Sequence, residues 1–266
     1  MKHFLRLTTT LIVLLFFGGN AWGQTTLSPG DIAITGVNMD NPDEISVVFL
    51  VYFESGTEIK FTDNGWLADN SWRTGEGIHT WTASQAYSAG NEIVITLVGP
   101  ALASSGDQII AYQNTSDMVA AINDEGTHVW QADATSSNTS ALPQGLTNVT
   151  NCVALDETDN IMYDRSTTSG TKEEILSAIN DYTKWSGSDA TRQTLSTAGF
   201  TITSVSGPEN PNSFTATASS TSQIDLEATA NGASDNILVA FNSEDTFGTP
   251  TGTYVATDPI TDGGTV

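Results

Sequence analysis

Short apolar runs separated by polar turns dominate the chain from Gly30 onward. Ile59 and Phe61 alternate with polar neighbours, as in a strand with one buried face. The segment Ile45–Phe53 (ISVVFLVYF) is almost continuously apolar and rich in β-branched and aromatic residues, which is typical of a strand covered on both faces. Further strands are predicted around 31–37, 79–82, 91–98 and 107–112. This spacing predicts an all-β sandwich or barrel.

Two segments depart from the strand pattern. Asp117–Ile122 (DMVAAI) and Glu173–Ile179 (EEILSAI) carry apolar residues at helical spacing. Thr171 and Glu174 have the spacing of a capping box, which specifies where the second helix begins. We therefore predict two short peripheral helices packed on the sheet edges, and a long loop over the Ser-, Thr- and Asn-rich stretch 132–150.

The first 23 residues have the pattern of a secretory signal peptide. Lys2 and Arg6 supply a positive start, and Leu11–Phe17 supplies an apolar core too short to span a bilayer comfortably. Small residues precede Gln24, the expected mature N-terminus. We expect an exported protein, secreted or at the cell surface, without membrane insertion after the leader is removed.

Composition narrows the possible partners. Lys and Arg number 8 against 31 Asp and Glu, for a formal charge of −23, so binding to nucleic acid is not expected. The single cysteine, Cys152, excludes an internal disulfide framework and a Cys-rich zinc site. It lies on an apparent strand, where we predict a small buried hydrophobe.

The sequence predicts a second, smaller β-unit near its end. Residues 205–212 contain two prolines and a glycine and have the composition of a linker. Beyond it, Phe214 and Ala216 alternate, then Ile224 and Leu226, as expected of the first strands of a small sandwich over 213–266.

The segments Ile59–Trp66 (IKFTDNGW), Gly75–Trp81 (GEGIHTW), Ala89-Gly90 and Ser105–Asp107 together resemble a lamin-tail-like domain of bacterial exported proteins. The resemblance implies an immunoglobulin-like β-sandwich over residues 24–204. In bacteria such a domain usually accompanies nucleases, phosphatases, adhesins or sorting domains, so it implies an accessory role.

The tail resembles the first part of a fibronectin type III domain through Gln223–Leu226, Asp235–Phe241 and Thr246–Tyr254. It departs from that family at Ala228, where a core Trp is usual. The printed sequence also ends before the later strands of such a module. We therefore expect this sequence to be a fragment of a longer protein.

Acidic residues gather in several predicted turns, including one at Asp156–Asn160. Loop carboxylates are suitable ligands for Ca²⁺, which takes six to eight oxygens. Asp and Asn are also ordinary turn formers that bond their own backbone, so both interpretations stay open. The candidate calcium ligands are Asp40, Asp43, Glu44, Asp63 and Asp69.

One tryptophan lies in a polar loop, Asn70–Glu76 (NSWRTGE). Trp72 and its neighbour Arg73 are the candidate contacts to an extracellular protein or a glycan. Trp66 and Trp81, by contrast, fall at strand or strand-end positions and are predicted to be core.

No motif indicates catalysis. His79 and His128 lack a metal-ligand spacing, and no glycine-rich phosphate loop follows a strand. We predict a non-enzymatic binding, adhesion or spacer module. Two alternatives are the accessory region of a secreted hydrolase, with its catalytic domain beyond residue 266, and a polysaccharide-binding module.

Overall fold

The computed structural model describes residues 24–126, 128–203, 213–218, 220 and 224–229. The predicted signal peptide (1–23), the predicted linker (205–212) and the fibronectin-like segments 235–241 and 246–254 lie outside the described residues. The chain divides into two compact units, residues 1–204 and 205–266.

The first unit is a β-sandwich of two five-stranded sheets. The strands are β1 Ile32–Asn38, β2 Glu44–Phe49, β3 Glu58–Thr62, β4 Ile78–Thr82, β5 Glu92–Thr96, β6 Gln108–Tyr112, β7 Met118–Asn123, β8 Cys152–Ala154, β9 Asn160–Tyr163, β10 Ser169–Gly170, β11 Trp185–Ser188 and β12 Thr201–Ile202. The first sheet has the order β11-β9-β1-β2-β5, and the second has the order β4-β3-β6-β7-β8. Within these two sheets all neighbouring strands are antiparallel except β7 and β8. Strands β10 and β12 form a separate parallel pair. The all-β sandwich expected from the strand spacing is confirmed.

The main core lies between the two sheets, where alternate residues of each strand meet. Ile45, Val47 and Phe49 point inward from β2, and Ile109 and Ala111 point inward from β6. Successive side chains of a strand face opposite sides, so each of these strands also presents residues to the outside of the sandwich.

Both outer faces are covered by other parts of the chain. Helix α1 (Lys172–Ile179) and Phe200 pack on the first sheet over Ala33, Val48 and Tyr163. Trp66, Ala141 and Leu146 pack on the second sheet over residues of β6 and β7. This cover explains why β1 and β7 are buried along their whole length.

The structure confirms one predicted helix and corrects the other. In α1 the Thr171 hydroxyl accepts from the Glu174 backbone N–H, and the Glu174 carboxylate accepts from the Thr171 N–H, which is the expected capping box. A single 3₁₀ turn follows at Tyr182–Lys184. The predicted helix over Asp117–Ile122 is wrong, because this segment forms strand β7, paired with β6 on one side and β8 on the other.

The described part of the second unit is a two-stranded antiparallel pair. Strand β13 (Ser213–Ala218) pairs with β14 (Ile224–Thr229), and Phe214 lies opposite Ala228. Thr215, Thr217 and Glu227 are exposed.

Candidate ligand cleft and buried carboxylates

A cleft of about 240 Å³ lies beside strands β3, β4 and β6. Its apolar walls come from Trp72, Tyr112 and Ile78, and Ile78 is 50% exposed. The polar groups that line it belong to Thr62, Asn64, Thr74, Glu76 and Thr115.

Trp72 is held in this cleft by contacts on several sides. Its ring lies 4.9 Å from that of Trp66 at a right angle, and 5.0 Å from that of Tyr112. Its indole N–H donates to the Thr115 carbonyl over 3.2 Å. The sequence placed Trp72 in a polar loop as a candidate contact residue, and in the structure it is a half-buried wall of a cleft.

Arg73, the second predicted contact residue, lies next to this wall. Its guanidinium is 3.7 Å from a carboxylate oxygen of Glu76, and its side chain is 32% exposed. The Asn64 side chain is fully engaged, since it donates to Thr62 Oγ1 over 2.7 Å and accepts from the Glu76 backbone N–H over 3.1 Å. Asn64 therefore positions the segment that carries Glu76.

Burial and the negative charge of Asp63 raise the pKa of Glu76, while Arg73 opposes the shift. Glu76 Oε2 is enclosed by the protein, so this oxygen is not presented to the open cleft.

Four buried carboxylates hold the loop between β5 and β6 through its backbone N–H groups. The Ala101 N–H donates to Asp63 over 2.8 Å, and the Leu102 N–H donates to Asp43 over 2.9 Å. Asp107 accepts from the Ala103 N–H over 2.9 Å, and Asp124 accepts from the N–H of Asp107 over 2.6 Å. Desolvation raises the pKa of all four carboxyls, that of Asp107 to about 8.

The five predicted calcium ligands take part in different contacts. Asp43 and Asp63 hold backbone N–H groups, as described above. Glu44 pairs with Arg192, and Asp69 accepts from the Ser71 hydroxyl over 2.6 Å. Asp40 accepts from the Asn160 amide over 2.8 Å. In the described part of the chain, no three Asp, Glu, His or Cys side chains converge at metal-ligand spacing.

The two histidines and the cysteine among the described residues have hydrogen-bond or ion-pair partners or are buried. His79 Nδ1 accepts from the Val98 N–H over 3.1 Å. His128 lies 2.9 Å from an oxygen of Asp156, and its ring stacks on that of Tyr182. Cys152 is 1% exposed, as predicted, and burial raises the pKa of its thiol to about 12.

Sequence reasoning missed Tyr112, Ile78 and Glu76 as parts of the cleft. Trp72 and Glu76 share the loop between β3 and β4, and Ile78 begins β4, whereas Tyr112 comes from β6 and is brought to them by the pairing of β3 with β6. The prediction that Trp66 belongs to the core is confirmed at 4% exposure, and Trp81 is partly buried against the main core.

Comparison with protein-family models, curated proteins and solved structures finds no match to this chain. The lamin-tail-like and fibronectin-like resemblances therefore stay predictions. Among the described residues, no helix is long and apolar enough to cross a membrane.

Proposed function

We propose that the first unit is a non-catalytic binding module of an exported protein, and that the Trp72 cleft holds a short segment of a neutral glycan. This proposal rests on the lining of the cleft, in which two aromatic residues and an exposed isoleucine lie beside residues that carry hydroxyl, amide and carboxylate groups. Small-ligand sites typically combine mostly apolar walls with a few polar groups that set orientation.

The chemistry of the cleft favours a sugar over other ligands. The half-buried Trp72 ring and the exposed Ile78 offer apolar surface to the C–H face of a sugar ring, and the exposed residues Thr74 and Thr115 offer hydroxyl groups for hydrogen bonds with sugar hydroxyls. The net charge of −23 disfavours acidic polysaccharides through long-range repulsion. The lamin-tail-like resemblance supports an accessory role beside another domain.

Retention on insoluble glycan tests this proposal, with cellulose and chitin as probes. Substitution Ile78→Arg places a long charged side chain over the mouth of the cleft at a half-exposed position. We expect it to lower retention at least about tenfold while the melting temperature changes little, since exposed sites tolerate substitution. Trp72→Ala is a poorer test, because it also removes the packing against Trp66 and Tyr112.

The matched control is Val129→Arg, at an aliphatic residue that is 57% exposed and does not line the cleft. It should retain the glycan as the unmodified protein does. If Ile78→Arg is retained equally well, the cleft is not the binding site. If the unmodified protein is retained on neither probe, the glycan-binding proposal fails and a spacer role gains support.

A further inference from the structure

Gln24 is the first residue that the structure describes, and it lies on the surface. The sequence predicts that it is also the first residue of the exported protein, because Ala21 and Gly23 supply the small side chains that a signal peptidase reads before its cut. In the exported chain, Gln24 then carries the free α-amine. An N-terminal glutamine places this nucleophile and an electrophilic side-chain amide on the same residue.

The segment that follows this glutamine is held on the sandwich. The Thr25 N–H donates to Thr57 Oγ1 over 3.0 Å, and Thr25 Oγ1 accepts from the Glu54 N–H over 2.9 Å. The Gln113 side-chain amide donates to the Thr25 carbonyl over 2.8 Å and accepts from the Leu27 N–H over 2.7 Å. The Leu27 side chain is 5% exposed and belongs to the main core. These contacts fix the segment from its second residue onward.

The glutamine itself is not held in this way. Gln24 is exposed, and no other described residue forms a hydrogen bond or an ion pair with it. Its side-chain amide is therefore free to turn back towards its own α-amine. The bond from the Thr25 N–H to Thr57 is kept during this movement, because neither the Gln24 carbonyl nor the Thr25 nitrogen takes part in the reaction.

We propose that Gln24 of the exported protein is converted to pyroglutamate. The unprotonated α-amine attacks Cδ of the side chain, the new C–N bond closes a five-membered lactam, and the bond from Cδ to the amide nitrogen breaks. That nitrogen takes up the proton that the amine loses and leaves as ammonia, so the step needs no oxidant, reductant or further reactant. The proposal rests on the predicted leader and is independent of glycan binding.

The lactam changes the chemistry of the chain end. It is uncharged and has no primary amine, so an exopeptidase that requires a free α-amine cannot begin there. Removal of the following residues one by one would take away Leu27 and expose apolar surface of the main core. A blocked Gln24 therefore protects the segment that covers this part of the core.

The test uses the full chain with its own leader, exported from a bacterial host. Primary amines of the intact protein are dimethylated directly after harvest, and a glutamate-specific protease then releases the peptide that ends at Glu44. Residues 24–44 contain no lysine and only one glutamine, Gln24, so tandem mass spectrometry assigns both the label and the loss of ammonia to the first residue. We expect a peptide that begins at residue 24, lacks one ammonia and carries no label.

The matched control is Gln24→Asn, because ring closure from the shorter side chain would give a strained four-membered lactam. This variant should keep its N-terminal amine, and its labelled fraction should exceed that of the unmodified protein at least about tenfold. A labelled peptide of full mass that begins at Gln24 overturns the proposal, and so does equal labelling of the two proteins. A chain that begins at any other residue also overturns it, and in addition contradicts the predicted cleavage site.

Discussion

Glu92 shows how a single charged residue can connect distant parts of the fold. Its side chain is fully buried on β5, and both carboxylate oxygens accept from the Arg165 guanidinium, over 3.0 and 2.8 Å. Thr35 Oγ1 and the Gly199 N–H donate to it as well, over 2.8 and 3.1 Å. Glu92 therefore joins β1 and β5 to the segments around Arg165 and Gly199.

Removing Arg165, the partner of the buried Glu92, should lower the free energy of unfolding far more than removing the partner of a partly exposed carboxylate. We expect Arg165→Met to lower the free energy of unfolding by about 3–5 kcal/mol, because Glu92 is left buried and uncompensated. The matched control is Arg192→Met. Its partner Glu44 has 26% of its side chain exposed, so this substitution should lower the free energy of unfolding by about 1 kcal/mol or less. Urea unfolding measures both, and equal losses would refute the argument.

At the scale of elements, the loop between β5 and β6 is held by carboxylates instead of by apolar packing alone. Asp43, Asp63 and Asp124 come from three other parts of the chain and Asp107 from the loop itself, and all four accept from N–H groups on this one loop. The hydrogen bonds favour the ionised forms, but desolvation is the larger effect and raises each pKa.

This arrangement should make the fold more stable in mildly acidic solution. Because the folded-state pKa of Asp107 is about 8, the folded chain holds more protons than the unfolded chain between about pH 4 and pH 8. The free energy of unfolding should therefore fall as the pH rises through this range, by about 1–3 kcal/mol.

Urea unfolding at pH 5 and pH 8 measures this slope. Asp107→Asn removes the titrating group and should flatten the slope, whereas Asp69→Asn, at an exposed carboxylate, should leave it as it is. Equal stability of the unmodified protein at the two pH values would contradict the prediction.

The correction at β7 also belongs to this scale. Asp117–Ile122 has apolar residues at helical spacing, but a nearly continuous apolar run fits a strand with two buried faces equally well. The partners decide between them: β7 lies between β6 and β8, and Met118 and Ala121 are covered on the outer face by Leu146 and its neighbours. Local periodicity holds no information about such partners. The capping box at Thr171, a purely local signal, was predicted correctly.

At the scale of the whole first unit, three apolar clusters are stacked across the sandwich: one between the sheets and one on each outer face. Cys152 belongs to the outer cluster of the second sheet, under Ala141 and Leu146. Reaching its thiol therefore requires this cover to open.

Cys152 should accordingly report on opening of the fold. With 1% exposure and a thiol pKa raised to about 12, it should react with a disulfide reagent such as DTNB at least about a hundredfold more slowly in native buffer than in denaturant. Rapid labelling in native buffer, in protein whose circular dichroism is unchanged, would show that the outer cluster is not a stable cover.

Alternating apolar residues, turn chemistry and the capping box were sufficient to predict the all-β class, most strands of the first sheet and helix α1, because these signals act between residues close in the chain. The sequence also indicated acidic turns at Asp40 and at Asp156–Asn160, but only as separate features. Tertiary structure decided that β9 lies beside β1, which brings those two turns to one end of the sandwich. It likewise decided that Trp72, Tyr112 and Ile78 share a cleft. The physical reason is that sheet order and register depend on which apolar faces are buried together, a property of the whole assembled chain that no local pattern contains.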